Sequence, residues 1–235
     1  MSDKLNWILQ LLFAASLLLL VAWGRSETAL NTQNYQTPAL QWSDEQSLLH
    51  KAIGGAVPGF AADIKVLNIF DTFALSQKRQ PDMRQPLWNQ MFYQIMAAQS
   101  LDPWFRDVYR LTEGLLAYEA GKAVEAIAVL QLSELYLNSG DPLLVASFLA
   151  LRELHNDTLA IDLAKRAASK ADSSTFAVSF AAGLIHKQNG CELAIAFLQS
   201  RLLVLPEEYR QSIHTKIQQI QQSEECLRGN QASHL

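Results

Sequence analysis

Apolar and polar positions divide the chain into one long apolar run, a polar stretch, and a series of segments of helical length. From Leu5 to Trp23 no residue is charged, and Leu11 to Ala22 is interrupted only by Ser16. As a helix this run spans roughly 28 Å, close to the ~30 Å hydrocarbon core of a bilayer. Trp7 and Trp23 sit near its ends with Lys4 and Arg25 beyond them, as interfacial anchors do. The pattern predicts a tail at 1–4 and a transmembrane anchor at 5–23. A cleaved signal peptide is one alternative, with Ala22-Trp23-Gly24 as a poor cleavage site; a buried core helix is another. Lys4 and the α-amine balance Arg25, so the positive-inside comparison is close to a tie. A short tail ahead of an anchor places the large C-terminal part outside the cytoplasm, on the periplasmic side of a bacterial inner membrane. Residues 24–55 follow as a linker; Arg25 to Gln46 is polar and lacks helical periodicity.

Beyond residue 55 the apolar spacing turns helical and repeats. The pairs Ala126-Ile127, Ala160-Ile161 and Ala194-Ile195 lie 34 residues apart. Four residues after each alanine come Leu130, Ala164 and Leu198; seven after come Ser133, Ala167 and Arg201. Breaks recur in step at 138–142, 170–174 and 205–208, and a second set at Glu119–Lys122, Leu154–Asp157 and Lys187–Cys191 splits each period into two helices. In Gly140-Asp141-Pro142, glycine suits a left-handed C′ position, aspartate a cap and proline a first turn. Asp157 and Ser173 are further N-cap candidates, and Pro206-Glu207-Glu208 opens a last helix whose dipole favours the two carboxylates. Two helices approach closely only where one lacks bulk, so Ala126, Ala160 and Ala194 are the expected packing points within helical hairpins.

The period, the small residue opening each second helix, the small residue seven later and Pro206 twelve after Ala194 resemble the tetratricopeptide repeat. The first helices depart from that family, with Ala117, Leu151 and Ile185 where it carries a large aromatic and Tyr118 one place late. Upstream, 59–77 and 87–103 read as a divergent first pair, and Gly59-Phe60-Ala61-Ala62-Asp63 is similar to the start of membrane-anchored repeat proteins of bacteria. The resemblance implies an all-α fold: a transmembrane helix, then a right-handed α-α superhelix of about three and a half to four hairpins over 56–205. A capping helix at 206–227 and a tail at 228–235 complete it. Tyr209, Ile213, Ile217 and Ile220 form the apolar stripe of that cap.

In that family the first helices line a concave groove. Here it would be lined by Val108, Leu111, Leu115 and Tyr118, then Val145, Leu149 and Arg152, then Phe176, Ser179, Gly183 and His186. Members that grip a terminal carboxylate use Lys, Arg and Asn there; this chain offers mainly aliphatics. The implied ligand is an amphipathic helix or apolar peptide of a protein partner. The alternative filling is the chain's own residues 28–50, with Leu40, Trp42, Leu48 and Leu49.

Composition narrows the chemistry. Of 235 residues 49% are hydrophobic and 18% charged, which suits a packed core, and the net charge of −4 without a basic stripe excludes a nucleic-acid footprint. No metalloprotease, phosphate-loop or hydrolase motif occurs, and the five histidines share no ligand spacing. Asn156-Asp157-Thr158 fits a glycosylation acceptor, a triplet common by chance. Cys191 and Cys226 are too few for structural zinc and are either one disulfide or two free thiols; antiparallel helices turning at Pro206 bring them toward each other. No cofactor, metal or small-molecule substrate is inferred. The reading is a non-enzymatic membrane-anchored scaffold or adaptor. Its alternative is an accessory subunit of a membrane enzyme or transport complex, for which Ala14, Ala15 and Ser16 offer a small-residue face. An enzyme built from dispersed residues is a third class.

Overall fold

The computed structural model describes residues 58–223 and residue 226, which lie within one compact unit. The expected tail, anchor and linker, and nearly all of the expected final tail, lie outside the described residues. The fold is all-α: nine α-helices and no strand occur among the described residues. None of these helices is long and apolar enough to cross a membrane. They are α1 (Pro58–Gln77), α2 (Gln85–Leu101), α3 (Arg106–Leu111), α4 (Ala123–Leu132), α5 (Asp141–Arg152), α6 (Asp157–Ala168), α7 (Thr175–Asn189), α8 (Cys191–Leu202) and α9 (Glu207–Gln221).

Each helix packs chiefly on its sequence neighbours, with α9 lying across both α7 and α8. Short connections leave little else available, and local breakers set where they fall. Gly190 alone joins α7 to α8, at φ 89°, where an L side chain would be strained. Gly121, at φ 65°, ends the preceding first helix while the Lys122 N–H donates to the Leu116 carbonyl at 3.0 Å. The corresponding place after α5 is held by His155, at φ 49°, with the Asn156 N–H closing onto the Ala150 carbonyl at 2.9 Å. Pro86, Pro142 and Pro206 stand at or just before helix starts, where a missing N–H costs nothing.

Four local expectations are corrected. Asn156, not Asp157, caps α6 by accepting the Leu159 N–H at 3.0 Å, and Ser174, not Ser173, caps α7 by accepting the Ala177 N–H at 3.2 Å. Asp141 is the first residue of α5 and its side chain caps nothing. Gly140 has an ordinary right-handed φ of −84°. Its lack of a side chain serves close approach instead: an added Cβ would lie 2.9 Å from the Ala167 carbonyl carbon and still closer to its oxygen. The start of α5 therefore rests on the backbone ending α6, and no larger residue fits without moving one of them.

Two apolar clusters form the interior. The larger runs from α1 to α7, with Ile69, Met91, Ile95, Val108, Leu116, Leu130, Leu143, Leu149 and Leu163 almost wholly buried; the second joins α6–α8 to α9 through Val178, Ile185, Leu198, Ile213 and Ile220. Ala126, Ala160 and Ala194 are each fully buried. At Ala160 the approach is close enough for the buried Ser147 hydroxyl of α5 to donate to the Ala160 carbonyl at 2.6 Å. Successive periods are also joined along one edge. The Asp172 N–H donates to the Asn138 carbonyl at 3.2 Å, and Trp104 meets Tyr136 edge-on with ring centroids 5.4 Å apart. Arg166 donates to Glu134, with Nε at 3.0 Å, and to Asp162 at 3.1 Å, while the Lys170 ammonium donates to the Glu134 carbonyl at 2.6 Å.

Candidate apolar interaction face

The residues expected to line a groove fall into three groups. Val108 and Leu149 belong to the core, at 0% and 1% exposure, so neither is available to a ligand. Each lies at the margin of its helix's surface stripe, and contacts with flanking helices rotate that margin inward. Leu111, Leu115 and Val145 are half-buried and rest on the larger cluster. Tyr118, Arg152 and Phe176 are exposed, and Ser179 and Gly183 half-buried, with open space where a Gly183 side chain would stand.

The strongest local feature is aromatic. Phe148 of α5 lies 4.3 Å from Phe180 of α7 between ring centroids and 6.3 Å from Phe176, and Phe176 and Phe180 stack one turn apart at 6.2 Å. Phe176 is stacked on both of the other rings, while Phe148 and Phe180 are tilted by 34° to each other. Phe148 and Phe180 are half-buried while Phe176 remains 58% exposed, so the cluster is anchored at its base and open above. Phe148 shares a stripe with Val145 and Arg152, at i+3 and i−4, and Phe180 follows Phe176 at i+4. The expected groove lining included neither Phe148 nor Phe180. Their helical spacing from Val145 and Phe176 was the available signal.

The element before Gly121 adds an irregularity. From Thr112 to Glu119 the helix after α3 widens into π turns, with the Ala120 N–H donating to the Leu115 carbonyl five residues back at 3.0 Å. Gly114 brings no side chain to hold a tighter turn. The buried Thr112 hydroxyl also donates to the Val108 carbonyl at 2.8 Å, competing with backbone donors. The widened turn separates Leu115, which rests on the core, from Tyr118, which is 58% exposed. Such turns recur at functional sites.

No protein-family model matches this chain, and no curated protein is significantly similar to it.

His186 stands apart from the aromatic face, half-buried and hydrogen-bonded through Nε2 to the Ser223 hydroxyl at 3.3 Å, just beyond α9. Cys191 and Cys226 form a disulfide with Cα atoms 5.7 Å apart, within the usual range for such bonds. Together these contacts fasten the segment after α9 to α7 and α8. Among the described residues no group of His, Cys, Asp or Glu is arranged to hold a metal ion. Glu134 is held below its ordinary carboxylate value by hydrogen bonds from Arg166, an arrangement that joins successive helices.

Proposed function

We propose that the protein is a non-enzymatic scaffold or adaptor, anchored in a membrane by residues 5–23 and built on tetratricopeptide-like helical hairpins. Its Phe148–Phe176–Phe180 face receives an apolar or amphipathic helix of a partner protein. The single observation carrying this reading is the aromatic cluster, whose outermost ring is solvent-exposed while its base is fixed in the core. Rigid, partly buried aromatics lose little entropy on binding and dominate interface energetics. Neighbouring Leu111, Leu115 and Val145 extend the apolar character, and exposed Arg152 supplies a polar rim. The 34-residue recurrence of buried Ala126, Ala160 and Ala194 supports the repeat reading, and the charge-free Leu5–Trp23 run supports the anchor and a domain on the periplasmic side.

A photocrosslinker at exposed Arg152 of the full chain tests the reading in native membranes. Capture of several substoichiometric soluble proteins, reduced at least about tenfold by Phe176→Asp, is the expected result. One stoichiometric membrane protein captured instead would favour an accessory subunit of a membrane complex. Capture unaffected by Phe176→Asp removes the aromatic face from the argument.

A further inference from the structure

The aromatic face carries opposite charges at its two ends. The Asp172 N–H donates to the Asn138 carbonyl, setting the starts of α5 and α7 side by side, and α6 turns back between the two helices. On α5 one stripe reads Asp141, Val145, Phe148 and Arg152; on α7 another reads Phe176, Phe180, Gly183 and Lys187. Phe148 and Phe180 are level, with ring centroids 4.3 Å apart, so Arg152 comes abreast of Gly183 and Lys187 stands about 5 Å beyond. At the opposite end Asp141 lies roughly two turns before Phe148, with Asp172 close by ahead of α7. Asp141, Arg152, Asp172 and Lys187 are all exposed, and none of them forms an ion pair among the described residues.

Neighbouring charges do not cancel this polarity. Glu153 is turned about 100° around α5 from Arg152, and Lys170 is drawn away onto the Glu134 carbonyl. Gly183 leaves open space beyond the rings, so no side chain there closes the furrow toward the two cations. We propose that the helix received by this face is itself charge-polarised, with carboxylates in its first turns and ammonium or guanidinium groups in its last. This rests on the adaptor reading and names the chemistry of its partner. The carboxylates meet Arg152 and Lys187, an apolar stripe meets Phe148, Phe176 and Phe180, and the cations meet Asp141 and Asp172. That order suits the partner's own dipole, which favours acids at the amino end of a helix and bases at the carboxyl end. It also fixes direction: the partner runs antiparallel to α5 and α7. A second copy offers the same charges but the same recessed floor, with Phe148 and Phe180 half-buried, and a single convex helix fits that floor better. An anionic lipid surface is repelled by the acidic end.

The test uses the full chain in phosphatidylcholine nanodiscs, with binding to empty discs subtracted. One probe is a synthetic helix of about 18 residues with a leucine stripe, glutamates in its first two turns and lysines in its last two. The other has the same stripe and lysine at every polar position. The first is expected to bind at least about tenfold more tightly, a gap that narrows as salt is raised. Arg152→Gln and Lys187→Gln, both at exposed sites, each weaken the first probe about threefold, and Phe176→Asp abolishes binding of both. A benzophenone on the first probe's amino terminus labels the chain near Lys187. Equal affinity for the two probes, still lost in Phe176→Asp, overturns the charge polarity and leaves the aromatic face standing. Binding of neither probe, or binding indifferent to Phe176→Asp, removes the adaptor face and this proposal with it. Labelling near Asp141 instead overturns the direction, and a dimer that Phe176→Asp dissociates gives the face to a second copy.

Discussion

At the carboxyl end, α9 sets Ile213, Ile217 and Ile220 against α7 and α8 and gives most of its remaining surface to charged and amide side chains. At the amino end, α1 has a buried face of similar character, yet its outer face shows Phe60, Ile64, Leu67, Phe70 and Leu75. Both are the outermost of the described helices. A row of hairpins exposes an apolar side wherever it stops, and a last element with a polar outer face makes that stop soluble. α9 is such an element by composition. α1 is not, because it has the composition of an interior helix. The two helices thus differ in the face turned away from the row, polar in α9 and largely apolar in α1. The carboxyl closure is further secured by the Cys191–Cys226 disulfide and the His186–Ser223 hydrogen bond, two attachments that reach past the end of α9 itself.

The asymmetry can be probed from the strongest effect downward. Ile213→Ala removes a fully buried side chain where α9 meets the second cluster and is expected to cost about 3–4 kcal/mol, read from urea unfolding. Hydrogen exchange should rise in α8 and α9 before α1 and α2; equal loosening at both ends would show that the two clusters unfold as one. Cys226→Ser releases the closing link across 35 residues and should cost roughly 2–4 kcal/mol, again with the loss concentrated at α9. No change in the denaturation midpoint would mean that α9 holds by its isoleucines alone.

Arg166→Gln is the mid-row control. Its partner Glu134 is about a third exposed, so the loss should stay below about 1 kcal/mol. Arg166 depresses the Glu134 pKa through hydrogen bonding, so the pair's contribution is complete above the ordinary carboxylate value of 4.5. It is lost as pH falls through the depressed folded-state value. The difference between wild type and Arg166→Gln should therefore be constant near neutrality and vanish in acid, without selective loosening of either terminal helix.

Legibility in the sequence followed the range of the force involved. Gly121, Gly190, Pro142 and Pro206 mark boundaries because backbone conformation and a missing N–H act within one or two residues. Caps were legible only to within one position. Asn156 and Asp157 are both able to cap, as are Ser173 and Ser174, and the choice rests on which backbone turns out of the helix. Gly140 was read as a conformational glycine, but the constraint on it comes from Ala167, distant in sequence and invisible to any local rule. The apolar face was half legible. Phe176 and Val145 stood on the expected stripe, whereas Val108 and Leu149 proved to be core and Phe148 and Phe180 entered. A rotation of a helix by a fraction of a turn exchanges such neighbours, and that rotation is set by adjacent helices.

Composition, periodicity and punctuation by themselves determined that this is a helical chain with a 34-residue recurrence and small residues at regular intervals, because helix formation and amphipathic patterning are local. Tertiary structure alone decided that three phenylalanines from two helices meet, that Gly140 rests on the end of α6, and that α9 closes one end while α1 leaves an apolar face at the other. Those outcomes depend on which surfaces touch, and close-packed contact between distant segments is settled only when all the helices are in place.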